Sequence, residues 1–135
     1  QGSGQILNVA SVAGFQPGAW MSNYYASKAY VLHFSEGLRE ELKEYGVSVS
    51  VLCPGPTRSA FFRNALINSA PLESSKLLMS AEEVALITVR ALEKKRAIII
   101  PGWRNQLMAM MPRWAPRWLV RKTAGKINQR FTRAD

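Results

Sequence analysis

The sequence lacks the features that mark several classes of protein. One cysteine among 135 residues, Cys53, excludes an internal disulfide and suits a reducing compartment. No apolar run approaches the roughly 18 residues of a membrane-spanning helix. The one histidine has no cluster of cysteines or carboxylates at ligand spacing around it, so we predict no metal site. We therefore expect a globular protein of the cytoplasm.

Acidic residues are scarce at one end of the chain. Residues 1–100 hold 10 Lys/Arg and 8 Asp/Glu, whereas residues 101–135 hold 8 Lys/Arg and one Asp. The formal net charge of +9 therefore belongs mostly to the tail. The first hundred residues need no polyanionic partner.

Short apolar runs alternate with longer segments that have a helical pattern. Residues 5–11, 47–53 and 97–101 are typical of buried strands, because they are short, apolar and followed by turn residues. Between them, residues 23–45 predict a helix that stops at Gly46, and residues 80–95 predict a second one. Alternating strands and helices indicate an α/β protein with a parallel sheet that is covered on both faces.

Tyr24 and Lys28 are the first candidates for chemistry. Their spacing of four puts the phenol and the ammonium on one face of a helix. A phenol alone is a slow acid at neutral pH, and a neighbouring cation favours its ionised form. The pair by itself is a weak signal, and its meaning depends on the residues around it.

Two hydroxyl groups are expected close to that pair. Ser11 ends the first strand, thirteen residues before Tyr24, and Thr57 follows the second strand. Ligands of open α/β sheets bind beyond the carboxyl ends of the strands, so we expect Ser11, Tyr24 and Thr57 to converge there. A hydroxyl beside a phenol can hold a carbonyl oxygen while the phenol donates its proton.

Three motifs occur in order: NVAS at 8–11, YYASK at 24–28 and VLCPGPT at 51–57. Together, and with this spacing, they resemble the C-terminal half of the short-chain dehydrogenase/reductase family over residues 5–102. The resemblance implies a partial Rossmann-type fold. Residues 1–102 would be its catalytic half, and residues 103–135 would be a basic amphipathic helical extension.

The resemblance also implies catalytic roles. Tyr24 would be the general acid/base that protonates a carbonyl oxygen as hydride arrives from the nicotinamide. Lys28 would favour the phenolate and hydrogen-bond the nicotinamide ribose, and Ser11 would orient the substrate oxygen. The implied activity is carbonyl reduction or alcohol oxidation, acting on an apolar or acyl ketone.

The same resemblance implies a cofactor site and a substrate pocket. The cofactor would be NADP or NAD, and the residues present do not distinguish the two. Tyr24 and Lys28 would contact the cofactor. Pro54, Gly55 and Thr57 would border the nicotinamide, with Thr57 bonding its carboxamide. The substrate pocket would be lined by large apolar side chains, namely Phe15, Trp20, Met21, Phe61 and Phe62.

Two motifs of the family are absent from the sequence. These are the glycine-rich turn T-G-x-x-x-G-x-G, which cradles the pyrophosphate, and the N-N-A-G strand end. We therefore expect a fragment of a longer enzyme that is inactive alone. The alternative is a non-catalytic interaction or membrane-surface module derived from such an enzyme. Retention of Ser11, Tyr24 and Lys28 favours the enzyme.

The tail and the long helix are the candidate interaction surfaces. Arginines and lysines alternate with tryptophans and other apolar residues over 103–133, which suits either contact with anionic lipid or packing on the body or on a partner subunit. A nucleic-acid partner is the least favoured. We also expect self-association into a homo-oligomer through the 23–45 helix.

Overall fold

The computed structural model describes residues 2–59 and 78–132, apart from the side chain of residue 131. Its strands are β1 (Gly4–Val9), β2 (Val47–Leu52), β3 (Thr57–Arg58), β4 (Met79–Ser80) and β5 (Ile98–Ile99). The first, second and fifth form one parallel sheet in the order β1-β2-β5. Strands β3 and β4 form a separate parallel pair. The predicted α/β fold with three parallel strands is confirmed.

The helices are α1 (Ser22–Leu42), α2 (Ala81–Glu93), α3 (Trp103–Trp114) and α4 (Arg117–Thr132). Helix α1 tightens into a 3-10 turn at Lys43–Tyr45 and ends at Gly46, whose φ of 70° is left-handed. Helix α2 begins with the predicted capping box, in which Ser80 and Glu83 each accept a hydrogen bond from the other's backbone N–H.

The third strand is shorter than predicted. Residues 97–101 were expected to form it, and β5 holds two of them. Proline has no backbone N–H to donate to a neighbouring strand, so the pairing cannot continue through Pro101. The chain turns at Gly102 and enters α3 directly.

The hydrophobic core lies on both faces of β2. On one face Val51 and Cys53 pack with Leu32 of α1. On the other face Leu52 packs with Val84 and Ala91 of α2. A strand that is covered on both faces carries no charged side chains, and the only polar residues in the 47–53 run are the small Ser48 and Ser50.

Helix α1 is also fixed to the sheet by a polar contact. The guanidinium of Arg39 donates hydrogen bonds to the carbonyl oxygens of Val49, in β2, and Lys95, which follows α2. One side chain therefore joins the long helix, the central strand and the turn that leads to β5. These contacts fix the position of α1, which carries Tyr24 and Lys28.

Part of the apolar surface remains exposed. Among the described strands, β1 pairs with β2 alone, and Val9 is 55% exposed. On α1, Tyr30 and Phe34 are 69% and 49% exposed, and their rings stack with centroids 5.8 Å apart. This surface lies on the elements for which self-association was predicted.

Both helices of the tail bury one side and expose apolar side chains on another. Ala109 of α3 and Ala124 of α4 are buried, whereas Trp114 of α3 and Trp118 of α4 are more than half exposed. None of the helices in the described residues is both long and apolar enough to cross a membrane.

Candidate active site

The loops that follow β1 and β2 run side by side at the carboxyl edge of the sheet. The amide of Ala10 donates to the carbonyl of Leu52 at 2.8 Å, and the amide of Val12 donates to the carbonyl of Pro54 at 3.1 Å. Pairing between the two segments therefore continues past the strand ends. It places Ser11 beside the Pro54-Gly55 turn.

Ser11 is buried and already organises the loop around it. Its Oγ accepts a hydrogen bond from the amide of Ala13 at 3.1 Å and caps the 3-10 turn Val12–Phe15. The hydroxyl lies 3.4 Å from the carbonyl oxygen of Pro54, which is long for an O–H···O bond. A nearer acceptor would therefore compete effectively for this proton.

Tyr24 and Lys28 lie on the first two turns of α1. The ammonium Nζ of Lys28 is 5.7 Å from the centroid of the Tyr24 ring, within the range of a cation–π contact. The same Nζ lies 3.5 Å from the carbonyl oxygen of Val9, at the end of β1. The lysine therefore bridges the helix and the strand end that carries Ser11.

A glycine allows the helix to approach this loop closely. A Cβ added at Gly14 would lie 2.8 Å from the carbonyl oxygen of Lys28 and 3.2 Å from the amide nitrogen of Ala29. Both are backbone atoms inside α1, so they cannot move aside as a flexible side chain could. Gly14 thus sets the distance between the Ser11 loop and the helix that carries Lys28.

The turn after β2 supplies the third part of the site. Pro54 and Gly55 continue from the strand, and the hydroxyl of Thr57 donates to the carbonyl of Gly55 at 2.9 Å. All three residues line the same cavity as Ser11, Tyr24 and Lys28. The structure therefore brings together the six residues to which catalytic or cofactor roles were assigned.

This cavity has a volume of about 440 Å³. Met21 lines it, as the substrate-pocket prediction requires. Phe15 and Trp20 are absent from its lining in the described structure; Phe15 packs against the core, and Trp20 is 57% exposed with a positive φ. Phe61 and Phe62 lie outside the described residues. The remaining pocket assignments stay predictions.

Helix α4 forms a wall of the cavity that the sequence did not predict. Met108 of α3 and Ala124, Ile127 and Asn128 of α4 all line it. The tail was predicted as an extension that contacts anionic lipid or packs on the body or on a partner subunit; in the structure it packs on the body through α4 and takes part in the candidate site. The sequence contains no motif that would signal this, because the contact joins residues about a hundred positions apart.

Asn128 is the residue that holds this wall in place. It is 5% exposed, its Nδ2 donates to the carbonyl of Ala19 at 3.0 Å, and its Oδ1 accepts from the Tyr25 hydroxyl at 3.1 Å. Tyr25, next to Tyr24 in the chain, is therefore a hydrogen-bond donor to α4.

Other reactive side chains have no such setting. Cys53 is fully buried, and burial raises the pKa of its thiol to about 12, so it is a packing residue and a poor nucleophile. Within the described ranges, no group of three or more His, Cys, Asp or Glu side chains is placed to hold a metal ion. The side chains that line the cavity include the hydroxyl of Ser11, the phenol of Tyr24 and the ammonium of Lys28.

Comparison with known proteins agrees with this geometry. Residues 1–69 match the family model described as short chain dehydrogenase. The ketoacyl reductase HetN of Nostoc sp. is 35% identical over 100 residues, which are 74% of this chain and 34% of HetN. The chain therefore spans about a third of this curated relative.

Solved structures show the same fold. A short chain dehydrogenase from Burkholderia cenocepacia J2315 in complex with NADP superposes with a TM-score of 0.71 at 26% identity, over 90% of this chain and 47% of that one. A short-chain dehydrogenase from Sphingobium yanoikuyae in complex with NADPH gives 0.63 at 28% identity, over 82% and 40%. On its family match, its relatives and its fold, the chain belongs to the short-chain dehydrogenase family.

Proposed function

We propose that the protein with this sequence is an NAD(P)-dependent oxidoreductase that interconverts a ketone and an alcohol, with Tyr24 as its acid/base. The observation that carries the proposal is the meeting of Ser11, Tyr24 and Lys28 in one cavity at the carboxyl edge of a parallel sheet. Family membership supports the same reaction class.

The chain's own residues account for the proton in this reaction. In the reducing direction, the Ser11 hydroxyl donates a hydrogen bond to the substrate oxygen, and the Tyr24 hydroxyl gives that oxygen its proton. Lys28 supplies a positive charge beside the Tyr24 ring, 5.7 Å from its centroid, close to the group that gives up the proton. A bound nicotinamide supplies or accepts the hydride. The reverse sequence oxidises the alcohol.

The cavity fits the nicotinamide end of a cofactor. Lys28 would bind its ribose and Thr57 its carboxamide, with Pro54 and Gly55 beside the ring. The sequence has no glycine-rich turn for the pyrophosphate. The two solved structures described above are complexes of NADP and NADPH, which supports NADP or NAD as the cofactor here.

The rest of the cavity favours an apolar substrate. Its walls include the side chains of Met21, Met108 and Ile127, and no residue that lines it in the described structure is acidic. A ketone with a hydrocarbon or acyl substituent would bury apolar area there. The name of the relative HetN, a ketoacyl reductase, supports the acyl case.

The test is ketone reduction by the natural gene product that contains these residues, with medium-chain ketones and an acetoacetyl thioester as substrates. We expect Tyr24→Phe to lower kcat by roughly 100-fold or more, because it removes the proton donor. Nicotinamide fluorescence should show that the variant still binds NADPH. Tyr45→Phe makes the same chemical change at a side chain 65% exposed and outside the cavity lining, and it should keep the wild-type rate.

Two results would overturn the proposal. One is a Tyr24→Phe enzyme that turns over at the wild-type rate. The other is a gene product that binds neither NADPH nor NADH up to millimolar concentration, which would favour a non-catalytic interaction module. For the 135-residue chain alone we expect no saturable nicotinamide signal, since the pyrophosphate turn is absent from it.

Two proposals about partners accompany the proposed activity. Self-association through the 23–45 helix is supported by the exposed Tyr30 and Phe34 of α1. Membrane contact by residues 103–133 is supported by the exposed apolar side chains of α3 and by the charge of the tail.

A further inference from the structure

Helix α3 presents its apolar side to solvent. Successive residues of an α-helix are rotated by about 100°, so positions 103, 107, 110, 111 and 114 share one side. We call this set the α3 stripe: Trp103, Leu107, Met110, Met111 and Trp114. Each of its side chains is more than half exposed, and Trp114 is 86% exposed. The opposite side of the helix carries Ala109, which is 2% exposed.

Arginines border this stripe. Arg104 and Arg113 fall at its two edges on the helix, and the Arg104 guanidinium lies 5.2 Å from the centroid of the Trp103 ring. Arg117 and Arg121 follow in α4. An amphipathic helix with aromatic side chains on its apolar side and arginines at the edge of that side has the composition of a helix that lies in a bilayer interface.

A second cavity adjoins the stripe. It lies between α2, β5 and α3 and has a volume of about 450 Å³. Met110 and Arg113 of α3 are among the residues that line it. Its lining combines apolar side chains, such as Ile98, with the cations Arg90, Lys94, Arg96 and Arg113. None of the described residues that line it is acidic. Four cations among apolar side chains complement an anionic head group attached to hydrocarbon.

From these observations we infer that the α3 stripe and the adjoining basic cavity form a binding surface for anionic lipid, through which the protein sits on a membrane. A second copy of the chain is a poorer occupant. It would bring another tail with 8 Lys/Arg and one Asp to the contact. Anionic lipid offers both the apolar phase and the opposite charge.

The test is co-sedimentation of the 135-residue chain with vesicles, made either of phosphatidylcholine alone or of phosphatidylcholine mixed with phosphatidylserine. We expect binding to the mixed vesicles, at least 10-fold weaker binding to phosphatidylcholine alone, and release by high salt. Met110→Ser combined with Trp114→Ser should reduce binding to the mixed vesicles at least 10-fold. Leu86→Ser combined with Val89→Ser removes exposed apolar side chains from α2 and should leave it unchanged.

A charge reversal distinguishes the electrostatic contribution of the basic cavity from the apolar contribution of the α3 stripe. Arg113→Glu should abolish the preference for phosphatidylserine, whereas Lys43→Glu makes the same change at an exposed lysine beyond the end of α1 and should not. Brominated lipid quenches the fluorescence of tryptophans that enter the acyl region. Quenching by brominated vesicles therefore tests insertion of the wild-type chain without any substitution.

Two outcomes would overturn the inference. One is failure of the wild-type chain to bind phosphatidylserine vesicles. The other is loss of a dimer, seen by sedimentation velocity, in the Met110/Trp114 variant with no change in its vesicle binding, since that would assign the stripe to a second copy. Neither result depends on catalysis, so the proposed oxidoreductase activity is tested separately.

Discussion

Cys53 is the side chain whose chemistry is most altered by its position. It is enclosed between β2 and α1, and burial raises the pKa of its thiol from 9.0 to about 12. The folded state therefore favours the neutral thiol. Its contribution to stability is fully present below pH 9 and is lost as the pH rises from 9 towards 12, where the unfolded chain ionises first.

This difference predicts slow alkylation. At pH 8 the thiolate fraction of folded Cys53 should be about 1000-fold lower than that of the unfolded chain, because a pKa difference of three units is a thousandfold in ionisation. We expect iodoacetamide to label the chain rapidly in guanidinium and at least 1000-fold more slowly in buffer. Equal rates under the two conditions would show that the thiol is not buried.

The neighbours of Gly14 leave no room for a larger side chain. Alanine at this position would place a Cβ 2.8 Å from the backbone oxygen of Lys28. We expect Gly14→Ala to lower the free energy of unfolding by about 1–3 kcal/mol, because the loop and α1 must separate. Urea denaturation followed by circular dichroism measures it.

Gly37→Ala is the matched control for this substitution. Gly37 lies inside α1, and nothing lies within 4 Å of a Cβ added there. The substitution should raise the free energy of unfolding by about 0.5–1 kcal/mol, since alanine loses less backbone entropy in a helix. A Gly14→Ala chain as stable as the Gly37→Ala chain would contradict the close approach.

At the scale of elements, α4 depends on Asn128 to stay against the body. Asn128→Ala removes one donor and one acceptor and leaves the Tyr25 hydroxyl and the Ala19 carbonyl unpaired. We expect a loss of about 1–3 kcal/mol in the free energy of unfolding, and faster amide exchange in α4 than in β2.

Lys126→Ala controls for a general effect on the helix. This lysine is exposed in the same element, and its truncation should change stability by less than about 0.5 kcal/mol. Equal stability and equal amide exchange in α4 for the Asn128 and Lys126 variants would show that the two Asn128 hydrogen bonds do not hold α4 against the body.

The sequence predicted those elements whose signals are local. The strand at 47–53 is rich in valine and is followed by Pro54-Gly55, Gly46 stops α1, and Ser80 with Glu83 starts α2. Each signal lies within a few residues of its effect. The return of α4 to the cavity has no local signal. Asn128 looks in sequence like any polar residue of a helix, and its partners are 103 and 109 positions away.

The direction of single side chains was equally hard to predict. Phe15, Trp20 and Met21 are all apolar residues of one loop, and Met21 alone among them lines the active-site cavity. A loop has no periodicity from which a side-chain direction follows. The tail shows the same difficulty, because an amphipathic pattern identifies an apolar side without saying whether protein or solvent faces it.

At the scale of the whole molecule, exposed apolar surface on α1 predicts self-association. Tyr30 and Phe34 stack on one another and face outward. We expect the 135-residue chain to sediment as a species larger than a monomer. Tyr30→Ser combined with Phe34→Ser should shift the chain towards the monomer, because exposing the less apolar surface of α1 to water then costs less free energy.

Leu86→Ser serves as the control for self-association. It removes an apolar side chain that is 60% exposed on α2, outside the 23–45 helix. Its sedimentation should match the wild type. A wild-type chain that sediments as a monomer at all concentrations would contradict self-association through α1.

The attachment of α4 also bears on the order in which the molecule assembles. Ser11 meets its partner Pro54 across 43 residues, whereas Asn128 must find Ala19 and Tyr25 across more than a hundred, after the loop and helix that carry them have formed. Closing the longer loop costs more chain entropy, and fewer contacts offset that cost. We therefore expect α4 to attach last during folding and to detach first during unfolding. The cavity would then exist briefly without its wall, and a bulky ligand could enter it through partial unfolding.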